Sequence, residues 1–218
     1  GNLTIASITG AGGIGTSDIQ LISGTGTTTV TGNIGTTIDD LTLQENAATS
    51  TGAVALQGNV TAVGLVTFAQ AYDVSMTGAT VAITNDTNFL NTGTTTLGNA
   101  TADSLTFTGG LGAVAGAINA AGTINTTNTA ADLGAITLTA AGQDLTIDTG
   151  TGAGNLTIAS ITGAGGTSNF QLISGTGTTT VTGNIGTSIN NLTLQENAAS
   201  STGAVALQGN VTAVGLVT

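Results

Sequence analysis

The chain of 218 residues contains no lysine, arginine or histidine, and its 11 acidic residues give it a formal net charge of −11. Without a basic side chain, no ion pair between side chains can form, so the acidic groups only repel one another. Nucleic acids and anionic membranes bind proteins mainly through Lys and Arg. We therefore expect neither a nucleic acid nor an anionic membrane as a partner.

Cysteine is also absent, which excludes disulfides within this chain. Nucleophilic catalysis of the Ser-His-Asp or Cys-His kind needs a histidine or a cysteine, so it is excluded too. Zinc prefers Cys and His ligands, and a zinc site made of carboxylates alone is disfavoured. The composition therefore predicts a protein that is not an enzyme and that holds no cofactor.

Proline and tryptophan are missing, and aromatic residues make up only 2% of the chain. Hydrophobic residues nevertheless reach 39%, well above the level of a chain that cannot bury a core. The interior must be filled by Ala, Val, Leu, Ile and Thr methyl groups, which suit narrow, closely spaced layers. Thr, Asn and Gly interrupt the apolar residues throughout, so no membrane span is predicted.

The sequence repeats itself over a long period. Residues 1–67 align with residues 154–218, and only Ile14-Gly15 lacks a counterpart in the second copy. The substitutions between the copies are Asp18/Asn169, Ile19/Phe170, Thr37/Ser188, Asp39/Asn190, Asp40/Asn191 and Thr49/Ser200. We divide the chain into a first unit, 1–153, and the start of a second, 154–218. Because the second copy stops in mid-unit, we expect one continuous segment of a longer tandem array.

A short motif recurs within the long repeat: a polar residue, an apolar one, then Thr, Gln or Ser, and a second apolar one. It begins at Asn2, Asp18, Asp40, Asp73, Ser104, Asp144, Asn155, Asn169 and Asn191. Apolar residues at alternate positions predict a strand with one buried face. The leading Asn or Asp suits a corner before the strand, where its side chain bonds nearby backbone. The predicted structural corner positions are Asp18, Asp39, Asp40, Asp73, Asp144, Asn169, Asn190 and Asn191.

Short irregular strands, abundant Thr and Val, many Gly and a core of small residues favour an all-β parallel β-helix. At about 20 to 25 residues per coil and about 4.8 Å per coil, the chain makes about nine to eleven coils in a rod about 45 Å long. The alternative is a string of immunoglobulin-like β-sandwiches. The absence of Pro and Trp and the single Tyr argue against it, since such sandwiches use aromatic core anchors.

Segments such as Leu133 to Ile161 resemble the large secreted β-helical adhesins of bacteria, the filamentous-haemagglutinin-like exoproteins and autotransporter passenger domains. The resemblance implies export to the cell surface, a rod-like shape and a role in adhesion or in a surface fibre. Expected partners are copies of the chain or adjacent repeats, end to end, and a glycan or host surface. A passive stalk and a glycan-binding face remain alternative functions.

Two further hypotheses depend on the acidic residues. Glycoside hydrolysis would use Asp39 and Asp40, or Asp144 and Asp148, as its acid pair. Calcium would take the same oxygens of Asp39 and Asp40, although the chain lacks an EF-hand loop and a GGxGxDxxx nonapeptide. Both hypotheses are weakened by the change of Asp39-Asp40 to amides in the second copy.

Threonine runs raise a last alternative, an ice-binding face. They lie at Thr27, Thr94 and Thr137, and a flat array of Thr side chains on one face of a solenoid would order water. Thr is also simply a good strand former, and the irregular spacing of these runs favours that interpretation.

Overall fold

The structure, a computed structural model, describes residues 1–13, 15–165, 167–196 and 198–218. Within them the chain forms strands only, and none of these residues belongs to a helix that could span a lipid bilayer. The strands are β1 Leu3–Ile5, β2 Ser17–Leu21, β3 Thr28–Val30, β4 Ile34–Leu43, β5 Val54–Leu56, β6 Val60–Val66, β7 Val74–Met76, β8 Thr80–Ile83, β9 Thr87–Phe89, β10 Thr95–Leu97, β11 Ser104–Phe107, β12 Leu111–Val114, β13 Ile118–Ala120, β14 Gly122–Thr126, β15 Ala131–Leu138, β16 Leu145–Asp148, β17 Leu156–Thr162, β18 Ser168–Ile173, β19 Thr179–Val181, β20 Ile185–Leu194, β21 Val205–Leu207 and β22 Val211–Val217.

The alternating pattern of the short motif produces these strands. In β7, for example, Val74 and Met76 are fully buried and Ser75 between them is half-buried. Val and Thr favour extended backbone because of their branched side chains, and alternate residues point to opposite faces of a strand. Each instance of the motif lies in a strand or directly before one, so this prediction is confirmed.

The strands wind into a parallel β-helix, which confirms the predicted fold, and the residues that the structure describes do not form separate sandwiches. All the strand pairs among the described residues are parallel, and each joins one coil to the next. One column of paired residues runs through Ile8, Ile34, Val60, Val81, Leu105, Ile124, Ile147, Leu172 and, by way of β20, Leu194. The chain makes about 9 turns, and at about 4.8 Å per turn the rod is about 43 Å long.

The rod has three faces, and the second copy of the repeat is shifted by one face. The column that starts at Leu3 passes through six turns to Ile136. It continues to Ile161, the copy of Ile8, and not to Leu156, the copy of Leu3. Leu156 instead follows Ala131 on the neighbouring face. One unit therefore spans six and two-thirds turns, and consecutive units are rotated by one-third of a turn.

Small residues allow the coils to approach closely at the corners. Gly32 lies above Ala6, and Gly58 lies above Gly32, so that a Cβ atom on either upper glycine would overlap the backbone of the coil below. A few buried aromatic rings complete the aliphatic core. Phe89 and Phe107 pack edge to face, with their ring centroids 6.1 Å apart. The composition predicted such a mainly aliphatic interior.

Candidate functional site

Asn and Asp side chains bind successive coils to each other. The Oδ1 atom of Asp73 accepts a hydrogen bond of 2.7 Å from the backbone N–H of Thr94, one coil later. Further bonds of this kind run from Thr27 N to Asn2, Asn59 N to Asn33, Thr80 N to Asn59, Gly152 N to Asn128, Thr178 N to Asn155 and Asn210 N to Asn184. An amide and a carboxylate both supply the oxygen that this bond requires. The role of these side chains therefore does not need a charge.

In the first copy a bond of the same kind joins two aspartates. Asp18 Oδ1 accepts the N–H of Asp40 at 3.3 Å. Asp39 and Asp40 lie inside β4, which has one more residue than β2 between the paired positions that flank Asp18. This extra residue makes a β-bulge, which bends the strand from one face to the next.

In the second copy the corresponding side chains are amides, which stack on one another along the rod. One carboxylate, that of Asp144, lies in the coil below them. Asp144 Oδ1 accepts both the backbone N–H of Asn169, at 2.7 Å, and its side-chain Nδ2–H, at 3.0 Å. Asn169 Oδ1 in turn accepts from Nδ2 of Asn190, at 3.2 Å, and of Asn191, at 3.1 Å. The three Asp-to-Asn differences between the copies therefore occur at side chains that are neighbours in adjacent coils.

Two carboxylate pairs were considered for glycoside hydrolysis. Asp144 and Asp148 accept hydrogen bonds from backbone N–H groups, whereas Asp39 is half-buried and Asp40 is exposed on β4. Asp144 directly precedes β16 and Asp148 is its last residue, whose Oδ1 accepts the N–H of Gly150 at 2.7 Å. Neither this pair nor Asp39 and Asp40 lines the shallow depression beside Ala113 and Asp132 or the hollows at the C-terminal end. Among the described residues, no three acidic side chains come together as a group that could hold a metal ion.

The threonines considered for ice binding do not form one uninterrupted array. Thr27 and Thr94 precede β3 and β10, and their amides bind the Asx side chains of the coil below. Thr137 belongs to an outward column of paired residues: Thr4, Thr29, Ala55, Ser75, Thr96, Asn119, Thr137 and Thr162. Ala55 and Asn119, which carry no hydroxyl group, interrupt this row of Thr and Ser side chains.

Sequence reasoning missed Gln44, which is fully buried although polar. Its Oε1 accepts the N–H groups of Ser23, at 3.1 Å, and Gly24, at 3.2 Å, and its Nε2 donates to the carbonyl oxygen of Gly52 at 2.6 Å. Gln195, the copy of Gln44, makes the same kind of network with Ser174 and Gly203. The only signal in the sequence was the identical LQEN in both copies.

Sequence reasoning also missed Tyr72, the single tyrosine, which is fully buried. Its hydroxyl donates to the carbonyl oxygen of Leu43 at 3.1 Å and accepts the N–H of Phe68 at 2.8 Å. Burial raises the pKa of Tyr72, against the opposing effects of the hydrogen bonds to Phe68 and Thr67. No periodicity marks it, because it lies in a loop before β7.

Comparison with protein-family models, with curated proteins and with solved structures found no match to this chain. Its function is therefore inferred from its own fold and side chains.

Proposed function

We propose that this chain is a structural segment of a secreted bacterial surface fibre or adhesin stalk, stabilised by coil-on-coil stacking. The observation that supports the proposal is the parallel pairing of strands along about 9 turns, in which each coil covers the apolar edge of the next. A rod of this kind gains length with every added unit without needing a larger core.

The direction of the hydrogen bonds suits a mechanical role. Backbone bonds between coils run along the rod on three faces, and Asx side chains such as Asp73 and Asn155 add further bonds across the corners. The buried Gln44 and Gln195 fix the longer loops in the same direction. Tension along the axis is therefore shared among several bonds in every coil.

The charge distribution fits a fibre that stays separate from its neighbours. All 11 acidic residues lack a basic side chain to pair with, so the flanks of two rods repel each other at low ionic strength. Repulsion between flanks leaves the two ends as the places where further coils are added with least electrostatic opposition.

The proposal is tested on intact cells that produce the protein. Antibodies raised against the purified chain should label unbroken cells, and brief treatment with external protease should remove the label. A cytoplasmic protein of the same cells, probed in parallel, should be labelled only after lysis. Labelling of the chain only after lysis would contradict a surface role.

A further inference from the structure

One face of the rod is built from strand segments without charge. These segments are β1, β3, β5, β7, β10, β13 and residues 136–138 of β15, which pair in that order. None of them contains an acidic residue. Their central outward residues are Thr4, Thr29, Ala55, Ser75, Thr96, Asn119 and Thr137. We call this surface the neutral face.

The net charge of −11 is concentrated away from the neutral face. The acidic residues that lie within strands are Asp18, Asp39, Asp40, Asp132 and Asp148. All of them belong to strand segments of the other two faces. Asp73 lies at the edge of the neutral face, directly before β7, and its Oδ1 is bound along the rod to the N–H of Thr94.

The side chains of the neutral face are able to bond to copies of themselves. Hydroxyl groups such as those of Ser75 and Thr96 both donate and accept hydrogen bonds, and so does the amide of Asn119. A carboxylate only accepts, so one acidic face offers no donor to another. Short side chains also lose less rotamer freedom on being covered than Lys, Glu or Gln do. The neutral face is therefore chemically complementary to itself.

The neutral face is large enough for a weak, reversible pair of rods. Seven coils at about 4.8 Å per coil give a length of about 34 Å, and five residues at about 3.3 Å each give a width of about 16 Å. Two such faces in contact bury about 1,100 Å², close to the lower limit of about 1,200 Å² for specific interfaces.

Ionic strength decides whether two rods approach each other. The Debye length falls from about 30 Å at 0.01 M salt to about 8 Å at 0.15 M. At low salt, repulsion between the acidic groups of two rods reaches across the neutral faces. At higher salt it is confined to the acidic flanks, and the neutral faces are free to meet.

We propose that the neutral face joins two rods side by side and that its occupant is a second copy of the chain. The two faces meet around a two-fold axis, so that each rod contributes the same residues, with Ser75 at the middle. Side-by-side pairing goes beyond the proposed surface role and does not depend on it.

Sedimentation equilibrium of the whole chain tests the pairing. We expect monomers at about 0.01 M salt and a monomer–dimer equilibrium at about 0.5 M. Thr96→Asp places like charges opposite each other and should weaken the dimer at least about tenfold. Thr106→Asp is the matched control, because it adds the same charge at an outward position of β11 on another face; it should change the affinity less than about twofold. Equal effects of the two substitutions, as expected if rods associate through their ends, would overturn the proposal.

A linking experiment locates the contact without adding charge. The chain has no cysteine, so Ser75→Cys gives one thiol at the middle of the neutral face and Thr106→Cys gives one on another face. Packed sheets lie about 10 Å apart, beyond the range of a disulfide, so a short bis-maleimide is used to join the thiols. At the higher salt concentration, Ser75→Cys should give at least about tenfold more linked dimer than Thr106→Cys. Equal yields would contradict pairing through the neutral face.

A neutral polysaccharide is the other occupant that these variants distinguish. Monomers at every salt concentration would overturn the proposal. If those monomers bound to cellulose, and Thr96→Asp abolished the binding while Thr106→Asp preserved it, the neutral face would belong to a glycan and not to a second rod. Either result would leave the β-helix and its proposed surface role untouched.

Discussion

Leu156 repeats Leu3 in sequence but lies on a different face of the rod, because the column that begins at Leu3 continues through Ile136 to Ile161. Leu3 is 37% exposed on the first coil, and Leu156 is fully buried within the stack. The same segment therefore folds in the same way on two faces, and its neighbours along the axis decide its burial. Because consecutive units are rotated by one face, the same outward side chains point in a different direction in each unit.

The first prediction concerns the close approach of coils at a corner. Gly58→Ala places a Cβ against the backbone of Gly32 and within 2.8 Å of Asn33 N, where only backbone movement gives relief. Gly35→Ala is the control, since its nearest neighbour, Ile8 O, is 3.6 Å away. We expect Gly58→Ala to lower the free energy of unfolding by about 1–3 kcal/mol, the usual range for overpacking. Urea unfolding followed by circular dichroism measures the difference, and equal midpoints for the two variants would count against the corner packing.

The second prediction concerns the buried amide of Gln44. Gln44→Ala leaves the N–H groups of Ser23 and Gly24 and the carbonyl of Gly52 without their partner. Each buried group that loses its hydrogen bond costs about 1–3 kcal/mol, so the variant should lose at least about 2 kcal/mol of stability. Gln57→Ala, at an exposed position, should change stability by less than about 0.5 kcal/mol. Similar thermal unfolding of both variants would mean that the network does not hold the loop.

The third prediction separates charge from hydrogen bonding at Asp73. Asp73→Asn keeps an oxygen for the N–H of Thr94 and should leave stability nearly unchanged, whereas Asp73→Ala removes it. The loss should be about 1 kcal/mol, since the bond lies on the surface. Chemical unfolding of the three proteins at matched ionic strength provides the comparison. If Asn and Ala were equally destabilising, the carboxylate charge would matter and the Asp/Asn exchange between the copies would need another explanation.

The fourth prediction is an alkaline loss of stability caused by Tyr72. Because burial raises the pKa of Tyr72, the folded state holds the proton more tightly than the unfolded state does. Stability is therefore complete below the ordinary tyrosine pKa of about 10 and falls as the pH rises above it. The chain has no Lys, Arg, Cys or His, so no other side chain titrates in this range. Tyrosinate absorbance should rise together with unfolding, and Tyr72→Phe should abolish the pH dependence; ionisation of Tyr72 in the native protein near its ordinary pKa would contradict the prediction.

The strands and their buried faces could be predicted from the sequence because alternation is a local signal. Leu105 and Phe107, for example, are two residues apart and both fully buried. The leading Asx residues were also recognisable as hydrogen-bond acceptors, although their donors, such as Thr94 for Asp73, belong to the next coil. Which residue lies one coil away depends on loop length, and one turn takes 26 residues from Ile8 to Ile34 but 19 from Leu105 to Ile124.

The remaining features follow from stacking and have no local signal. The bulge at Asp39-Asp40 exists because β4 is one residue longer than its partner β2 opposite Asp18. The buried positions of Gln44 and Tyr72 depend on partners in the neighbouring coil, Ser23 for Gln44 and Leu43 for Tyr72. The rotation between units depends on how many faces of the rod one whole unit covers, which no short stretch of sequence reveals.

The most direct test of the stacked-coil account is small-angle X-ray scattering from the chain and from the chain lengthened by one further 153-residue unit. Six and two-thirds added turns at about 4.8 Å per turn should increase the maximum dimension by about 32 Å. The cross-sectional radius of gyration should stay the same, because each added coil covers the last without widening the rod. A longer protein that widens in all directions, or that scatters as separate compact bodies joined by linkers, would contradict the account.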